Sequence, residues 1–257
     1  MRYEQFGWDY ELFNPLWDKE VRWYLDWVRR TGDPVLELAC GSGRMLVEFA
    51  KAGYDVVGID LSEKMLGLTE IRIRELPRDV QNRIHFYRYD MVDFNVGREF
   101  GMVVIGDNSF RELKTREQQL SCLQFVRKHL NRDGKLLMTE RRFDAGLFLD
   151  GKREYPWTEA IVHPDTGDMV SRKVEVTLDS DRKWVRGMMT YRMVSDDGTE
   201  RLKEFRFDAP VMNVEDYLEL FQEAGFKTQV YVGYKEKDDD GVDPVLCFVC
   251  SKVIQTG

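Results

Sequence analysis

The stretch at 35–60, VLELACGSGRMLVEFAKAGYDVVGID, limits what this chain can fold into more than any other. A short apolar run over 35–39 ends on a turn built from Gly41 and Gly43. Met45, Leu46, Phe49 and Ala50 then recur at helical spacing, with Gly53 as the stop. A second apolar run, 56–59, ends on Asp60. Strand, glycine turn, helix, strand and acid make the opening of a parallel α/β sheet that binds a nucleotide-like ligand at its carboxyl edge. Glycine lets the backbone approach such a ligand where a Cβ would collide with it. Asp60 stands where a carboxylate accepts both hydroxyls of a ribose.

Two ligand classes share that outline. A dinucleotide fingerprint asks for G-x-G-x-x-G, whereas the third position here is the bulky Leu46. Glu37, inside the end of the first strand, would repel a pyrophosphate and suits a ligand that carries an ammonium group. The run Glu37-Leu-Ala39-Cys-Gly41-Ser-Gly43 resembles motif I of the class I S-adenosylmethionine-dependent methyltransferases, an acid followed by x-G-x-G-x-G. Ala39 replaces the first glycine, a small change that leaves the turn intact. The methyltransferase reading therefore stands ahead of a dehydrogenase.

With 257 residues and 43% hydrophobic content, the chain is one domain with room for an insertion. Its four cysteines follow no disulfide-framework spacing, which suits a reducing compartment. Cys247 and Cys250 have C-x-x-C spacing but lie in an apolar strand-like run, where residues three apart face opposite sides. Two buried strand cysteines are expected there. No signal-peptide pattern and no apolar run of bilayer length stand out, so a soluble cytoplasmic protein without a membrane role is expected. A net charge of −8 without a dense basic cluster argues against a nucleic-acid partner.

Four of the six tryptophans fall in the first 27 residues: Trp8, Trp17, Trp23 and Trp27. From Pro15 the pattern is helical, with Trp17, Val21, Tyr24 or Leu25, and Val28 on one face. The preceding W-D-Y-E-L-F has two readings, plain packing or a lid over the cofactor like that of many small-molecule methyltransferases. Aromatic faces attract cations such as a sulfonium, and Tyr10 is the best single contact.

Ser62 caps a helix over 63–76 that Pro77 ends, leaving Leu61 and Met65 where the adenine ring would lie. The third strand, 84–89, ends at Asp90-Met91. The resemblance implies that Asp90 accepts from the adenine amino group and that Met91 meets the ring; the alternative is a carboxylate capping its own turn. The fourth strand, 102–106, ends in Asp107-Asn-Ser-Phe110. This is not the N-P-P-Y of enzymes that methylate exocyclic or amide nitrogens. It resembles the turn of methyltransferases acting on small amines, sugars and metabolites, so Asp107, Asn108 and Ser109 either orient the substrate, with Asn108 and Ser109 the candidate contacts, or merely turn the chain.

Thr115 and Gln118 form a capping box for a helix, and a fifth strand at 135–139 runs out into Glu140-Arg-Arg-Phe143. Those charges either reach the ligand crevice, Arg141 first among them, or form a surface ion-pair cluster. Turn signals at 164–167, 179–181 and 196–198 then separate runs rich in strand formers, an antiparallel sheet with one wet face. It resembles the extra sheet of amino-sugar and glycine-type N-methyltransferases and would roof the substrate pocket, form a dimer interface, or both. The core resumes at Asn213, the cap of a helix with Tyr217, Leu218, Phe221 and Ala224 inward. Strands at 228–233 and 245–253 close the sheet as a hairpin, and the acids at 238–240 read as a solvated turn. Of three histidines, His85 and His129 read as structural, and His163 lies on the inserted sheet. No metal cluster is apparent.

The expected fold is α/β, a Rossmann-like seven-stranded sheet with an antiparallel last strand and an inserted antiparallel β-sheet after strand five. The core would comprise 1–151 and 213–257, with the insertion at 152–212. The resemblance implies S-adenosyl-L-methionine as cofactor, yielding S-adenosyl-L-homocysteine. Its contacts would be Tyr10, Glu37, Ala39, Gly41, Gly43, Arg44, Asp60, Leu61, Met65, Asp90, Met91 and Gly106. The expected activity is methyl transfer to an N or O nucleophile of a small molecule, with a homodimer formed through the inserted sheet. A protein or RNA acceptor, and a non-catalytic cofactor-binding or dimerisation module, remain as alternatives.

Overall fold

A computed structural model describes residues 7–235 and 245–253. They divide into two compact units, one of 16–142 with 213–235 and 245–253, the other of 7–15 with 143–212. Residues 7–15 thus group with the inserted segment, whereas the sequence reading placed them with the core. The acids at 238–240 lie outside the described residues.

The chain opens with α1 (Asp9–Leu12) and then α2 (Asp18–Thr31), whose acidic first turn and basic last turn, Arg29 and Arg30, complement the helix dipole. Next come β1 (Val35–Leu38), α3 (Arg44–Lys51) and β2 (Val56–Asp60). Ser62 caps α4 (Glu63–Arg74), its hydroxyl accepting from the Met65 amide at 3.2 Å. The short α5 (Arg78–Gln81) leads to β3 (Ile84–Arg88) and β4 (Phe100–Ile105). A 3₁₀ turn at Ser109–Glu112 precedes α6 (Arg116–His129), which starts on the Thr115/Gln118 capping box. β5 (Leu130–Arg141) starts five residues earlier than expected. Its pairing with β4 jumps from Phe100↔Leu130 to Met102↔Lys135, so Asn131–Gly134 loop out within the strand as the Asp-Gly turn signal requires.

The second unit contributes β6 (Lys152–Tyr155), β7 (Ile161–Val162), β8 (Met169–Leu178), β9 (Trp184–Val194) and β10 (Glu200–Pro210). Asn213 and Asp216 cap α7 (Val214–Glu223), and the chain returns as β11 (Phe226–Val232) and β12 (Val245–Lys252).

The larger sheet has the order β11-β12-β5-β4-β1-β2-β3. Strands β1 to β5 run parallel, and β12 is antiparallel to both β5 and β11. The central β1 and β4 are buried along their whole length, as helices on both faces of a parallel sheet demand. Cys247 and Cys250 are buried and unbridged on β12. The inward face of α2 is Trp23, Tyr24, Trp27 and Val28. Trp17, expected on that face, is the N-cap and 57% exposed, because the helix begins one residue later than the apolar pattern. On α7, Leu218 is likewise exposed and Leu220 takes the inward position beside Tyr217 and Phe221.

The smaller sheet, β10-β9-β8-β6 with β7 on β8, is antiparallel throughout. Its packed face carries Tyr191 and Phe205 edge-on at 5.6 Å, with Phe13 at 5.9 Å from Tyr191. Asp9, 4% exposed, bonds Lys203 Nζ at 2.7 Å and faces His163 Nε2 at 3.3 Å, tying α1 to this sheet. His163 is thus occupied structurally within this unit.

Candidate active site

The backbone leaving β1 turns left-handed at Ala39 (φ 55°), Gly41 (57°) and Gly43 (75°). A Cβ on Gly43 would stand 2.8 Å from Thr69 Cγ2, so glycine is required there for two reasons. Ala39 takes the conformation that the first glycine of the motif normally supplies, and holds it under strain. The turn is gripped from two elements. From α4, the Thr69 hydroxyl donates to the Gly41 carbonyl at 2.8 Å, and Arg72 Nε donates to the Ser42 carbonyl at 3.0 Å. From β2, Asp60 Oδ2 accepts the Gly41 amide and Oδ1 the Ser62 amide, each at 2.8 Å.

Glu37, at the buried end of β1, is 8% exposed, and its Oε2 has no hydrogen-bond partner among the described residues. Burial pushes its carboxyl up to about 8 against the pull of Arg44, with Glu20 and Asp60 adding to the rise. Glu20, in the first turn of α2, is pushed up to about 7 by burial and then by the Asp107 carboxylate, with Arg44 opposing. Arg44 Nη2 in turn lies 3.4 Å from Asp107 Oδ2. Three carboxyl groups from α2, β1 and the end of β4 therefore surround one guanidinium. Sequence reasoning missed Glu20, although Glu20, Tyr24 and Val28 follow one another at i+4 and put an acid on the apolar stripe of α2.

Asp107 and Asn108, just past β4, both have left-handed backbones (φ 51° and 62°). The Asp107 amide donates to Thr139 Oγ1 and the Asn108 amide to the Thr139 carbonyl, both at 3.3 Å. The Arg141 amide returns a bond to Asn108 Oδ1 at 2.6 Å. The Tyr24 hydroxyl reaches Thr139 Oγ1 at 2.9 Å and would lie 3.4 Å from a Cβ on Gly106. Two consecutive strained non-glycine residues at a sheet's carboxyl edge are a feature of functional turns.

On the β2–β3 side, Leu61 is 37% exposed, while Met65 is buried beside Gly41. Asp90 Oδ1 accepts the Val92 amide at 3.1 Å and so caps its own turn, with the half-buried Met91 between them. Ser109 is half-buried in the 3₁₀ turn. Arg141 is exposed, whereas Glu140 is 1% exposed rather than part of a surface cluster. Tyr10 belongs to the other unit, where its carbonyl accepts from Asn14 Nδ2 at 2.6 Å. Among the described residues no cluster of three or more His, Cys, Asp or Glu has metal-binding geometry. His85 is exposed on β3, and His129 stacks on Phe94 at 4.6 Å. Among the described residues no helix is long and apolar enough to cross a membrane.

This sheet order, with its glycine turn and the acids on β1 and β2, defines the class I S-adenosylmethionine-dependent methyltransferases. Residues 35–134 match the family model described as "Methyltransferase domain". The putative methyltransferase YqeM of Bacillus subtilis is 26% identical over 194 residues, covering 75% of this chain and 73% of that one. The dTDP-3-amino-3,4,6-trideoxy-alpha-D-glucopyranose N,N-dimethyltransferase of Streptomyces venezuelae is 31% identical over 138 residues, 54% of this chain and 52% of that one. The CcbJ methyltransferase from Streptomyces caelestis has the same fold, with a TM-score of 0.77, 17% identity and 99% of both chains covered. The chain is an S-adenosylmethionine-dependent methyltransferase. The site fits that cofactor: the unpartnered, buried Glu37 Oε2 is an acceptor suited to an ammonium group, and the glycine turn leaves bare backbone beside it.

Proposed function

We propose that the methyl acceptor is an amine nitrogen of a small molecule, with amino sugars the first class to test. The observation that carries this reading is the set of carboxyl groups, Glu20, Glu37 and Asp107, around Arg44 at the carboxyl edge of β1 and β4. Once ionised, these carboxyls outnumber the one guanidinium, which favours a cationic acceptor over phosphate-rich RNA. The dimethyltransferase relative, by its name, acts on a nucleotide-linked amino sugar, which supports the same choice.

The bound cofactor supplies an electrophilic methyl carbon; the protein's part is alignment, exclusion of water and management of one proton. In this reading Asp60 and the turn at Ala39, Gly41 and Gly43 hold the ribose and the amino-acid end. Glu37 and Arg44 meet its ammonium and carboxylate, and Gly106 leaves room beside them. Leu61, Met65, Asp90 and Met91 flank the adenine. Asn108 and Ser109 orient the acceptor, with Arg141 beside them. Glu20, held up to about 7 by burial, is poised near neutral pH to take the proton that an ammonium must lose before its nitrogen attacks.

The four buried, unbridged cysteines support a reducing, cytoplasmic location. Exposed Val162, Met169 and Leu202 on the smaller sheet support its use as a homodimer surface. The test is S-adenosylhomocysteine release with a panel of nucleotide-linked and free amino sugars, their hydroxyl analogues, a peptide and an RNA. Turnover with amines is expected. Turnover confined to hydroxyls, peptide or RNA overturns the reading.

A further inference from the structure

Glu140 closes the buried run of β5 and pairs with Leu246 of β12, a position whose strand neighbours Leu136, Leu137 and Met138 are fully buried and apolar. It is 1% exposed, and neither carboxyl oxygen has a hydrogen-bond partner among the described residues. A buried carboxyl costs stability unless the groups around it hold it, so its neighbours matter more than its packing. The groups that face it come from three elements: the Arg111 guanidinium and Phe110 amide of the 3₁₀ turn, the Asp107 carboxylate after β4, and the Tyr217 hydroxyl of α7. Tyr217 is itself 2% exposed, 6.3 Å from the Phe110 ring and 5.0 Å from the Phe248 ring. The residues on either side of Glu140 already grip the strained turn, Thr139 through the Asp107 and Asn108 amides and Arg141 through Asn108 Oδ1.

We propose that Glu140 is a positioning residue for methyl transfer: its carboxyl, between Arg111 and Tyr217, sets the conformation of the turn at 107–112 and with it the side chains of Asn108 and Ser109. The role in transfer rests on the reading of that turn as acceptor-facing. Burial holds the Glu140 carboxyl up to about 8, Arg111 being the main opposing influence. Below that pH the neutral acid is a weak partner for its neighbours. Above it the carboxylate attracts Arg111 and accepts from the Phe110 amide and the Tyr217 hydroxyl, against repulsion from Asp107 alone. The turn therefore tightens as pH rises through about 8.

Amide hydrogen exchange across 107–112 tests this on the full chain saturated with S-adenosylhomocysteine, between about pH 6.5 and 9.5 and corrected for intrinsic rates. In the wild type, protection is expected to rise about tenfold across the range. Glu140→Gln is expected to flatten the profile without changing the S-adenosylhomocysteine affinity. Tyr217→Phe, which keeps the ring packed, is expected to move the midpoint upward. A flat wild-type profile, a Glu140→Gln profile parallel to it, or an unmoved Tyr217→Phe midpoint would overturn the proposal. Exchange needs no acceptor, so the two readings fail separately. A pH-dependent turn in a protein that methylates no amine would sink the acceptor assignment and leave the Glu140 control of the turn standing.

Discussion

Asp60 Oδ2 accepts the Gly41 amide at 2.8 Å, so the acid that ends β2 is bonded to the glycine turn that ends β1. One carboxylate thus shapes the turn, and in the proposed reading it also holds the ribose. Asp60→Ala removes both, and S-adenosylhomocysteine affinity is expected to fall by roughly 30–100-fold, about 2–3 kcal/mol. Calorimetric titration of wild type and variant reads this, with NAD as a second ligand. A wild type that binds NAD and not S-adenosylhomocysteine would remove the basis of the cofactor assignment.

Ala39 holds a left-handed backbone (φ 55°) that glycine adopts without strain. Ala39→Gly is expected to raise stability by ~0.5–1 kcal/mol, the relieved strain outweighing the added unfolded-state entropy. That amounts to a few degrees in thermal denaturation, with cofactor affinity unchanged. Gly43→Ala, facing Thr69 at 2.8 Å in the same left-handed region, is expected to lower both stability and affinity.

Glu37 is held at about 8 by burial, against an ordinary value of 4.5. Between those values the unfolded chain has lost its proton while the native state keeps it, so stability falls as pH rises from 4.5 to about 8 and then levels. Glu37→Gln lacks this dependence. Its denaturation temperature is expected to gain on the wild type across that window, by at most a few kcal/mol in stability. An ammonium ligand favours the ionised form, so wild-type binding should release protons near neutrality. Titration in buffers of different ionisation enthalpy shows whether Glu37→Gln abolishes that release.

Glu20 stands at about 7 and faces Asp107 and Arg44. For an amine acceptor, kcat/KM is expected to rise with pH through a limb near 7, as the carboxyl loses its own proton and becomes able to take one. Glu20→Gln should lower kcat/KM by about 100-fold and erase that limb. An unchanged pH–rate profile would assign the proton to another group or to water.

Much of the fold could be read from the sequence because its determinants are local. Ser62, the Thr115/Gln118 pair and Asn213 begin helices through bonds spanning three residues. The glycine turn is likewise encoded within a few positions. What stayed hidden depends on contacts distant in sequence. Trp17 and Leu218 fit an apolar stripe, but the start of α2 and the neighbours of α7 leave both exposed. Glu140 belongs to a run of charges that reads as surface, and only the pairing of β5 with β12 buries it. Glu20 interrupts the apolar stripe of α2, but that it meets Asp107 shows only once the helix is packed.

The association of 7–15 with the smaller sheet is the extreme case, since Asp9 and Lys203 lie 194 residues apart. Asp9→Ala leaves Lys203 and His163 without their shared carboxylate. A loss of about 1–3 kcal/mol is expected, the partly exposed Lys203 keeping it at the low end. Limited proteolysis should then cut within 7–15 sooner, while S-adenosylhomocysteine binding in the other unit is unchanged.

The place of β12 between β5 and β11 has a consequence for synthesis on the ribosome. Once Arg141 has emerged, one edge of β5 stays bare while roughly a hundred further residues are translated, on the order of 5–20 s. The nascent core waits through that interval with an apolar strand edge open to pairing with other chains. A chaperone that covers the strand edge would lower that risk. Slow codons downstream of 143–212 would lengthen the interval, making soluble yield sensitive to changes that leave every amino acid the same.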